Sequence, residues 1–562
     1  MGLLAVLMSV GLLAAACGGD DSGGDDGGGG DATDDTAEAG NPDEGLEPQY
    51  GGRLVFAREA ETSLPWTPAN MVCDVACHQA IRGIFDTLTL IDSEGEPQPF
   101  LLSSFEPNED FTEWTLTARD GITFHDETPF DADALIRHFE ETRASTLIGN
   151  VFSDIADQTK VDDMTITVTM TNPWSHFPDF LSGQPGYVAS PAWLDAVADG
   201  SSLSTEPVGT GPFEYAEYAD GINFRQTRNA GYWNSDADGN QYPYLDEIEF
   251  VVQNENQTRD NAIVSGEIDI THMDSGDSIE RLRQEADNGT IKMVELDDRR
   301  ETGYLMTHPT NEDSAVSDIR IRQAMAYAID QPLRNQARNA GIFEIANGPY
   351  SPGMEGYLED TGWIEYDLDK AKELVAEYEA DTGQDAAFAY TVASDPFNLQ
   401  TAELYQQFWQ DAGMTVTLDQ IEQGSFITEA LNGNFEVFGW RNHGGFDPDT
   451  QQVWWTSENA GPVGELSLNF GRFRDDVIDE NLQVIRESSD EAARIEAAEA
   501  INVRFAEQVY NIWTDWTLWA IPHQERVHGV LTPIALPDGG ESAVHGIGFS
   551  GAINVTQLWV DQ

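Results

Sequence analysis

Asp163-Met164-Thr165-Ile166-Thr167-Val168-Thr169-Met170-Thr171 alternates polar and apolar residues without a break. A period of two puts Met164, Ile166, Val168 and Met170 on one face, so the stretch predicts a half-buried β-strand. Helical signals stand on both sides of it. Asp131 caps a helix carrying Leu135 and Phe139, and Asp318 caps one carrying Ile321, Ala324, Met325 and Ala328. Asp369 to Asp381 predicts a further helix with Leu374, Val375 and Tyr378 inward. Ser488-x-x-Glu491 has the form of a capping box opening a helix with the stripe Ile495, Ala498, Ile501, Phe505, Val509 and Ile512. Strands and helices mixed along the whole chain predict an α/β body of more than one lobe. Turn-rich breaks at 182–185, 200–212, 234–243 and 348–356 mark candidate joints.

The chain has 562 residues, 40% of them hydrophobic, which suits several domains with real cores and excludes global disorder. It carries 28 Lys+Arg against 100 Asp+Glu, a net charge of −72. Such a body repels phosphate backbones, so nucleic acid is excluded as a general partner. Only Lys160, Lys292, Lys370 and Lys372 are lysines. An acid-rich, Lys-poor composition suits work in high salt, where screening removes self-repulsion.

Leu3 to Ala16 is apolar but too short to span a bilayer, and it reads as the apolar region of an export signal. Ala14-Ala15-Ala16-Cys17 follows and resembles a bacterial lipobox, in which the Cys thiol receives a diacylglyceryl group. Ala14 stands where a Leu is usual, with Leu13 one place further out, and no Lys or Arg precedes the apolar run. Residues 1–17 are thus expected to be a lipoprotein signal ending in Cys17. Residues 18–47, rich in Gly and Asp, are expected to be a flexible linker reaching roughly 30 Å. Cys73 and Cys77 are four apart, a helical spacing within disulfide reach outside a reducing cytosol. Free thiols are the alternative. A Cys metal site lacks ligands, since only His78 is adjacent.

Seven segments then occur in a telling order: Gly51-Gly52-Arg53-Leu54, Ile84-Phe85-Asp86-Thr87-Leu88, Trp114 to Asp126, Pro207-Val208-Gly209-Thr210-Gly211-Pro212-Phe213, Arg228-Asn229-x-x-Tyr232-Trp233, Ser265-Gly266-Glu267-Ile268-Asp269 and Ile321 to Asp330. Together they resemble the peptide/dipeptide/nickel class, family 5, of extracytoplasmic solute-binding proteins of ABC importers. The resemblance runs from about Gly51 to the C-terminus. It implies an α/β, bilobal periplasmic-binding-protein-like fold with an extra small domain and a hinged cleft. The implied near lobe is 48–82, 207–298 and 526–562, the small domain 83–206 and the far lobe 299–525. It also implies a lipid-anchored receptor on the outer face of the cytoplasmic membrane, monomeric and without cofactor. Such a receptor would deliver a small peptide-like solute to an ABC permease and ATPase complex.

The residues nominate a site as well. Trp440-Arg441-Asn442-His443, then Asp447 and Trp454, combine stacking faces, a guanidinium, an imidazole and a carboxylate on a Gly/Pro loop. Trp66 and Asn70, on the loop from Ser63 to Cys77, are expected at the other edge of the cleft. In the family's peptide binders an Asp shortly after the Trp holds the ligand ammonium, and an Arg near Thr401 holds its carboxylate. Here those stretches read Asn442-His443-Gly444-Gly445 and Asn398-Leu399-Gln400, so the class holds better than the peptide label. Trp440 and Asp447 are expected to contact ligand without being needed for folding. Gly209 and Gly211 are read as a turn using positive φ, His125 as a structural histidine, and Glu127, where the family has Gly, as a local change in the turn. No metal is expected. Asn234-x-Asp236-x-Asp238-Gly239 opens like a calcium loop, but its twelfth position is Leu245. Gly546-x-Gly548-x-x-Gly551 has no βαβ unit around it. Alternative functions are a cell-surface hydrolase using cleft carboxylates, and a sensor or chaperone on the same fold.

Overall fold

Three sheets organise the chain, and the path between two of them positions everything that follows. The computed structural model describes residues 43, 45–61, 65–145, 148–297, 299–394, 396–442, 445, 447–544 and 551–562, apart from the side chains at 396, 397, 423 and 424. The expected signal and Cys17, most of the expected linker, Ser63, His443, Gly444 and Gly546–Ser550 lie outside that set. Within it, Gly45–Gln562 form one unit.

The first sheet has seven strands in the order Lys292–Leu296, Trp519–His523, Ile270–Thr271, Arg53–Arg58, Glu247–Val252, Asn223–Arg228 and Phe213–Ala219. The second has five: Thr415–Ile421, Ala387–Ala393, Val437–Asn442, Thr302–Thr307 and Asn511–Trp516. A third sheet, Leu102–Pro107, Glu113–Ala118, Thr165–Met170 and Ile155–Lys160, carries the helix Ala132–Ala144. The chain passes between the first and second sheets twice, at 297–301 and again at 517–518. The two passages run side by side: Leu296 pairs Trp519 in one sheet, Thr302 pairs Trp516 in the other, and Thr517 N donates to Glu301 O at 2.9 Å between them. Two short adjacent segments are the kind of joint that absorbs a rotation between two packed bodies.

The predicted strand is Thr165–Met170, with Ile166, Val168 and Met170 buried. The caps at Asp131 and Asp318 form as expected. Leu374, Val375 and Tyr378 are buried on the helix Leu368–Thr382, which Asp367 caps. The capping box does not form. Asp490 caps the helix Glu491–Gln508, while Ser488 closes the preceding helix Asp476–Glu487 and its Oγ accepts from Asp490 N. That helix ends at Gln508, with Val509 left-handed (φ 51°), so Ile512 is buried as part of a strand.

Gly209 and Gly211 are needed for close approach and not for positive φ. A Cβ on Gly209 would sit 2.1 Å from Ile84 O, and one on Gly211 2.6 Å from Gly83 O. Glu127 keeps the left-handed backbone that glycine favours (φ 66°). His125 has backbone partners on both ring nitrogens: Nε2 donates to Gly211 O at 2.9 Å and Nδ1 accepts from Gly209 N at 3.3 Å. Burial holds its pKa down, to about 4. Cys73 and Cys77 are disulfide-bonded, with Cα atoms 5.0 Å apart, and Cys77 lies in the first turn of the helix Val75–Ile81. Trp519–His523, expected in the far lobe, is a strand of the first sheet. The lysines lie on Ile155–Lys160, Lys292–Leu296 and Leu368–Thr382.

Candidate functional site

The strand Val437–Asn442 divides the nominated residues between two faces. Alternation places Phe438, Trp440 and Asn442 on one side and Val437, Gly439 and Arg441 on the other. On the first side, half-buried Trp440 lies nearly parallel to Phe426 (centroids 6.2 Å, 13°) and edge-on to Phe470 at 5.0 Å. Trp454 packs 5.4 Å from the same Phe470. Asn442 is buried, accepting from Tyr304 OH at 2.8 Å and donating to Gln451 Oε1 at 3.2 Å.

On the second side, Arg441 reaches across to the first sheet. Its Nη1 is 2.6 Å from Asp274 Oδ2, and its Nε is 3.1 Å from Glu301 Oε2. Its guanidinium lies 5.2 Å from the ring centroid of Trp519. Glu301 and Trp519 flank the double passage, and Trp519 Nε1 donates to Glu301 at 2.9 Å. Glu301 is 1% exposed, whereas Arg441 and Asp274 keep 35% and 32% of their side-chain surface, so the Arg441–Asp274 pair is half-buried, with solvent reaching its outer side. Although burial opposes charge on Arg441, Glu301, Asp274 and Glu59 hold its pKa above the ordinary value. Gly439 has no side chain on this face, and Tyr390 OH lies 3.3 Å from where its Cβ would be.

The first-sheet side presents Glu59, just past Arg53–Arg58, paired with fully buried His272 just past Ile270–Thr271. Burial raises the Glu59 pKa, but His272 and then Arg259 outweigh it and bring it down to about 2. The second-sheet side presents the helix Gln331–Asn339. Its Arg334 is committed to Asp515 at 2.6 Å and to Thr514 O at 2.8 Å. On Arg338 burial lowers the pKa, while Asp274 and then Asp515 act to raise it. Gly276, two residues past Asp274, abuts this helix: a Cβ there would sit 2.2 Å from Asn339 O. The seam is therefore tightly packed at one edge and open at the Arg441–Asp274 pair.

The other nominated residues sit elsewhere. Trp66 is 1% exposed, packed on Tyr218 and Phe224 at 4.5 and 4.6 Å in the first-sheet core. Asn70 is exposed on a turn with Thr67. Asp447, expected at a ligand, is 6% exposed and faces the third-sheet body. Its carboxylate pairs with Arg494 and accepts from Asp449 N at 2.7 Å. Around it Trp174 Nε1 donates to Asp449 at 2.8 Å, and Arg486 bridges Asp449 at 3.0 Å and Asp154 at 2.9 Å. Asp447 therefore has partners of its own and braces its loop. Asp274, Glu59, His272, Glu301 and Arg338 were missed, because nothing in their local sequence separates them from other charged residues. At the calcium-like loop, Asp236 accepts from Asp238 N, Asn240 N and Tyr244 OH, and no metal-holding cluster occurs among the described residues.

Two α/β bodies joined by a double strand passage, with charges facing across the seam, define a bilobal binding-protein fold. The chain belongs to the bacterial extracellular solute-binding proteins, family 5, whose middle region matches residues 96–462. It is a solute-binding protein of the ABC-importer type. It is 23% identical over 426 residues to the dipeptide-binding protein of Escherichia coli (strain K12), covering 71% of this chain and 77% of that one. It is 26% identical over 342 residues to the glutathione-binding protein GsiB of the same strain, covering 60% and 63%. Among solved structures, AgaA from A. tumefacien R10 with agropinic acid superposes at TM-score 0.77 with 21% identity, covering 91% of this chain and 99% of that one. DppA from Helicobacter pylori with the peptide STSA gives 0.77, 22%, 92% and 99%. Members of this family are extracytoplasmic, and no helix among the described residues is long and apolar enough to cross a membrane.

Proposed function

We propose that this chain is a lipid-anchored, monomeric receptor that captures a peptide-like solute in the seam between its two large lobes and presents it to an ABC permease by closing. The near lobe is the first-sheet body, the far lobe the second-sheet body, and 83–206 the small extra domain. The observation that carries the reading is the Arg441–Asp274 pair: two partly exposed, opposite charges, one from each body, beside the double passage. A solute bearing both an acid and a base finds complementary groups there, and only a closed seam offers both sets at once. The proposed ligand set is Arg441 with its sequence neighbour His443 from the far lobe, and Asp274 and Glu59 from the near lobe. The dipeptide-binding and glutathione-binding names of similar proteins support a small peptide-like solute. No covalent chemistry is proposed.

Native mass spectrometry of freshly purified protein, followed by calorimetric titration with the di- or tripeptide it identifies, tests the reading. A 1:1 complex that Arg441→Gln weakens at least about tenfold, or about 1.4 kcal/mol, is the expected result. Turnover of the bound solute would favour the hydrolase instead. For the anchor, Cys17→Ser is expected to move the protein from the membrane to the soluble fraction, because burial of acyl chains is the only attachment proposed. Retention on the membrane would remove the lipobox from the account.

A further inference from the structure

Parallel strands are normally covered on both faces, and the second sheet departs from that at one place. Ala387–Ala393 and Thr415–Ile421 pair in parallel. Phe388, Tyr390, Val392 and Val416 bury one face in the core shared with the helices Ile319–Ala328, Leu368–Thr382 and Pro396–Asp411. On the other face Thr415, Thr417 and Asp419 are exposed and Ala389 is half-buried. Thr391 pairs with Phe438, so this is the face opposite to the one that carries Arg441. Two contiguous cavities of about 740 and 410 Å³ lie on it, sharing Thr391, Asp419 and Asn434. Their walls are the segments 308–313 and 433–436 and the helix Gln423–Asn432.

The lining interleaves two kinds of surface. Ala389, Ile421, Phe435 and Val463 are apolar. Glu312, Asp313, Asp419, Glu422, Glu429 and Glu436 are carboxylates, and no lysine or arginine is among the described lining residues. Glu436 is committed to its own surroundings, accepting from Ser314 Oγ at 2.6 Å and Ala389 N at 3.1 Å. Arg472, behind Gly433, donates through Nη1 and Nη2 to the carbonyls of Leu431, Glu465, Ser467 and Asn469. One buried side chain of the lining is left unsatisfied. His308 is 2% exposed; its Nδ1 lies 3.4 Å from Thr310 Oγ1, and its Nε2 has no partner. Burial holds its pKa down, to about 4, so at neutral pH the ring is uncharged and one of its nitrogens is an acceptor.

We propose that this groove binds a linear aliphatic polyamine, at a site separate from the solute seam. Carboxylates spread along a groove suit a ligand whose charges are spread too, and the apolar surface between them takes its methylene segments. An uncharged His308 accepts from an ammonium N–H where a charged one would repel it. A divalent cation needs several ligands gathered at one point, and no such cluster occurs among the described residues. A second copy of a chain carrying −72 is repelled from this surface.

Calorimetric titration of the whole protein with spermidine at fixed ionic strength tests the site, with magnesium chloride and tetralysine as comparison probes. One saturable site for spermidine is expected, and none for magnesium. Asp419→Asn removes the carboxylate common to both cavities and should weaken spermidine at least about fivefold. Ala389→Leu should weaken it as much, by filling the groove floor with the charge unchanged. Glu496→Gln, exposed on the helix Glu491–Gln508, should leave binding as it was. Asp419 is exposed, so its variant decides the matter even where Ala389→Leu fails to fold. Unsaturable binding that Glu496→Gln reduces as much as Asp419→Asn does would be a general counterion effect and would overturn the proposal. A magnesium site as tight as the spermidine one would overturn it too. Tighter binding of tetralysine with the same dependence on Asp419 and Ala389 would give the groove to a basic protein segment and remove the polyamine.

Discussion

Asp447→Ala is expected to lower the stability of the ligand-free protein by about 3 kcal/mol or more, the cost of removing one partner from a buried ion pair. Asp447 is 6% exposed and its partner Arg494 2%, so truncation strands a guanidinium where water does not reach. The nearest substitute is Glu355, 4.0 Å from Arg494, and burial together with Asp447 pushes its carboxyl up to about 7. The variant removes the Asp447 part of that rise, but burial still opposes charge on Glu355, and it stands farther from Arg494 than Asp447 does. The lost bond to Asp449 N would also free the first turn of Pro448–Gln451. Asp449, 0% exposed, would then be left to hold Arg486 and Trp174 on an unbraced loop. Urea unfolding and hydrogen exchange across 447–455 would register the loss, while calorimetric titration should find ligand affinity nearly unchanged. A variant that is as stable as wild type but binds poorly would return Asp447 to the ligand site.

The second large effect is expected at Asp86, where the first-sheet body meets the segment leading to the small domain. This carboxyl is 6% exposed and accepts from Thr210 Oγ1, Tyr232 OH and Trp233 Nε1, each at 3.0 Å. All three donors are neutral, so burial dominates and pushes its pKa up to about 6, against the pull of those bonds. Asp86→Ala leaves three donors without an acceptor, at about 1–3 kcal/mol each where they are buried, and a total near 4 kcal/mol is expected. The sign of the pH effect follows from the raised value. Between about pH 4 and 6 the native state binds this proton more tightly than the unfolded chain does. The stability it contributes is full below about pH 4 and lost as pH rises through 6, by about 3 kcal/mol. The gap between wild type and Asp86→Ala should therefore be wider at pH 4 than at pH 8. An unchanged gap across that range, read by urea titration, would show that the carboxyl titrates normally.

The fold was largely legible because its signals are local or ordered along the chain. The alternation at Asp163–Thr171 needs only neighbouring residues, and so do the caps at Asp131 and Asp318. The family resemblance needed only segments in sequence. Local signals failed where two fitted one stretch. Ser488 and Asp490 stand two apart before one helix, and the bonds from Ser488 N to Val484 O and from Ala492 N to Asp490 show that Ser488 closes the earlier helix while Asp490 opens the later one. The apolar stripe ran on through Val509 to Ile512 because a strand buried its residues as well as the helix did. The site was less legible. Trp440-Arg441-Asn442 was chosen for composition, but a strand sends adjacent side chains to opposite faces, and Arg441 parts from Trp440 there. Asp274 and Arg441 come together only through tertiary structure, in a chain where one acid looks like a hundred others.

The placement of the four lysines has a practical consequence. Lys160 and Lys370 are part-exposed and paired with Asp133 and Glu373, and the other two lie on the same outer elements or on the strand Lys292–Leu296. The proposed ligand set, Arg441, His443, Asp274 and Glu59, contains no lysine, so reagents that acylate lysine amines leave it in place. The protein can therefore be coupled to a dye or a sensor chip through its lysines with the arginine–carboxylate seam chemically untouched, which makes it a ready-made recognition element for whatever solute it carries.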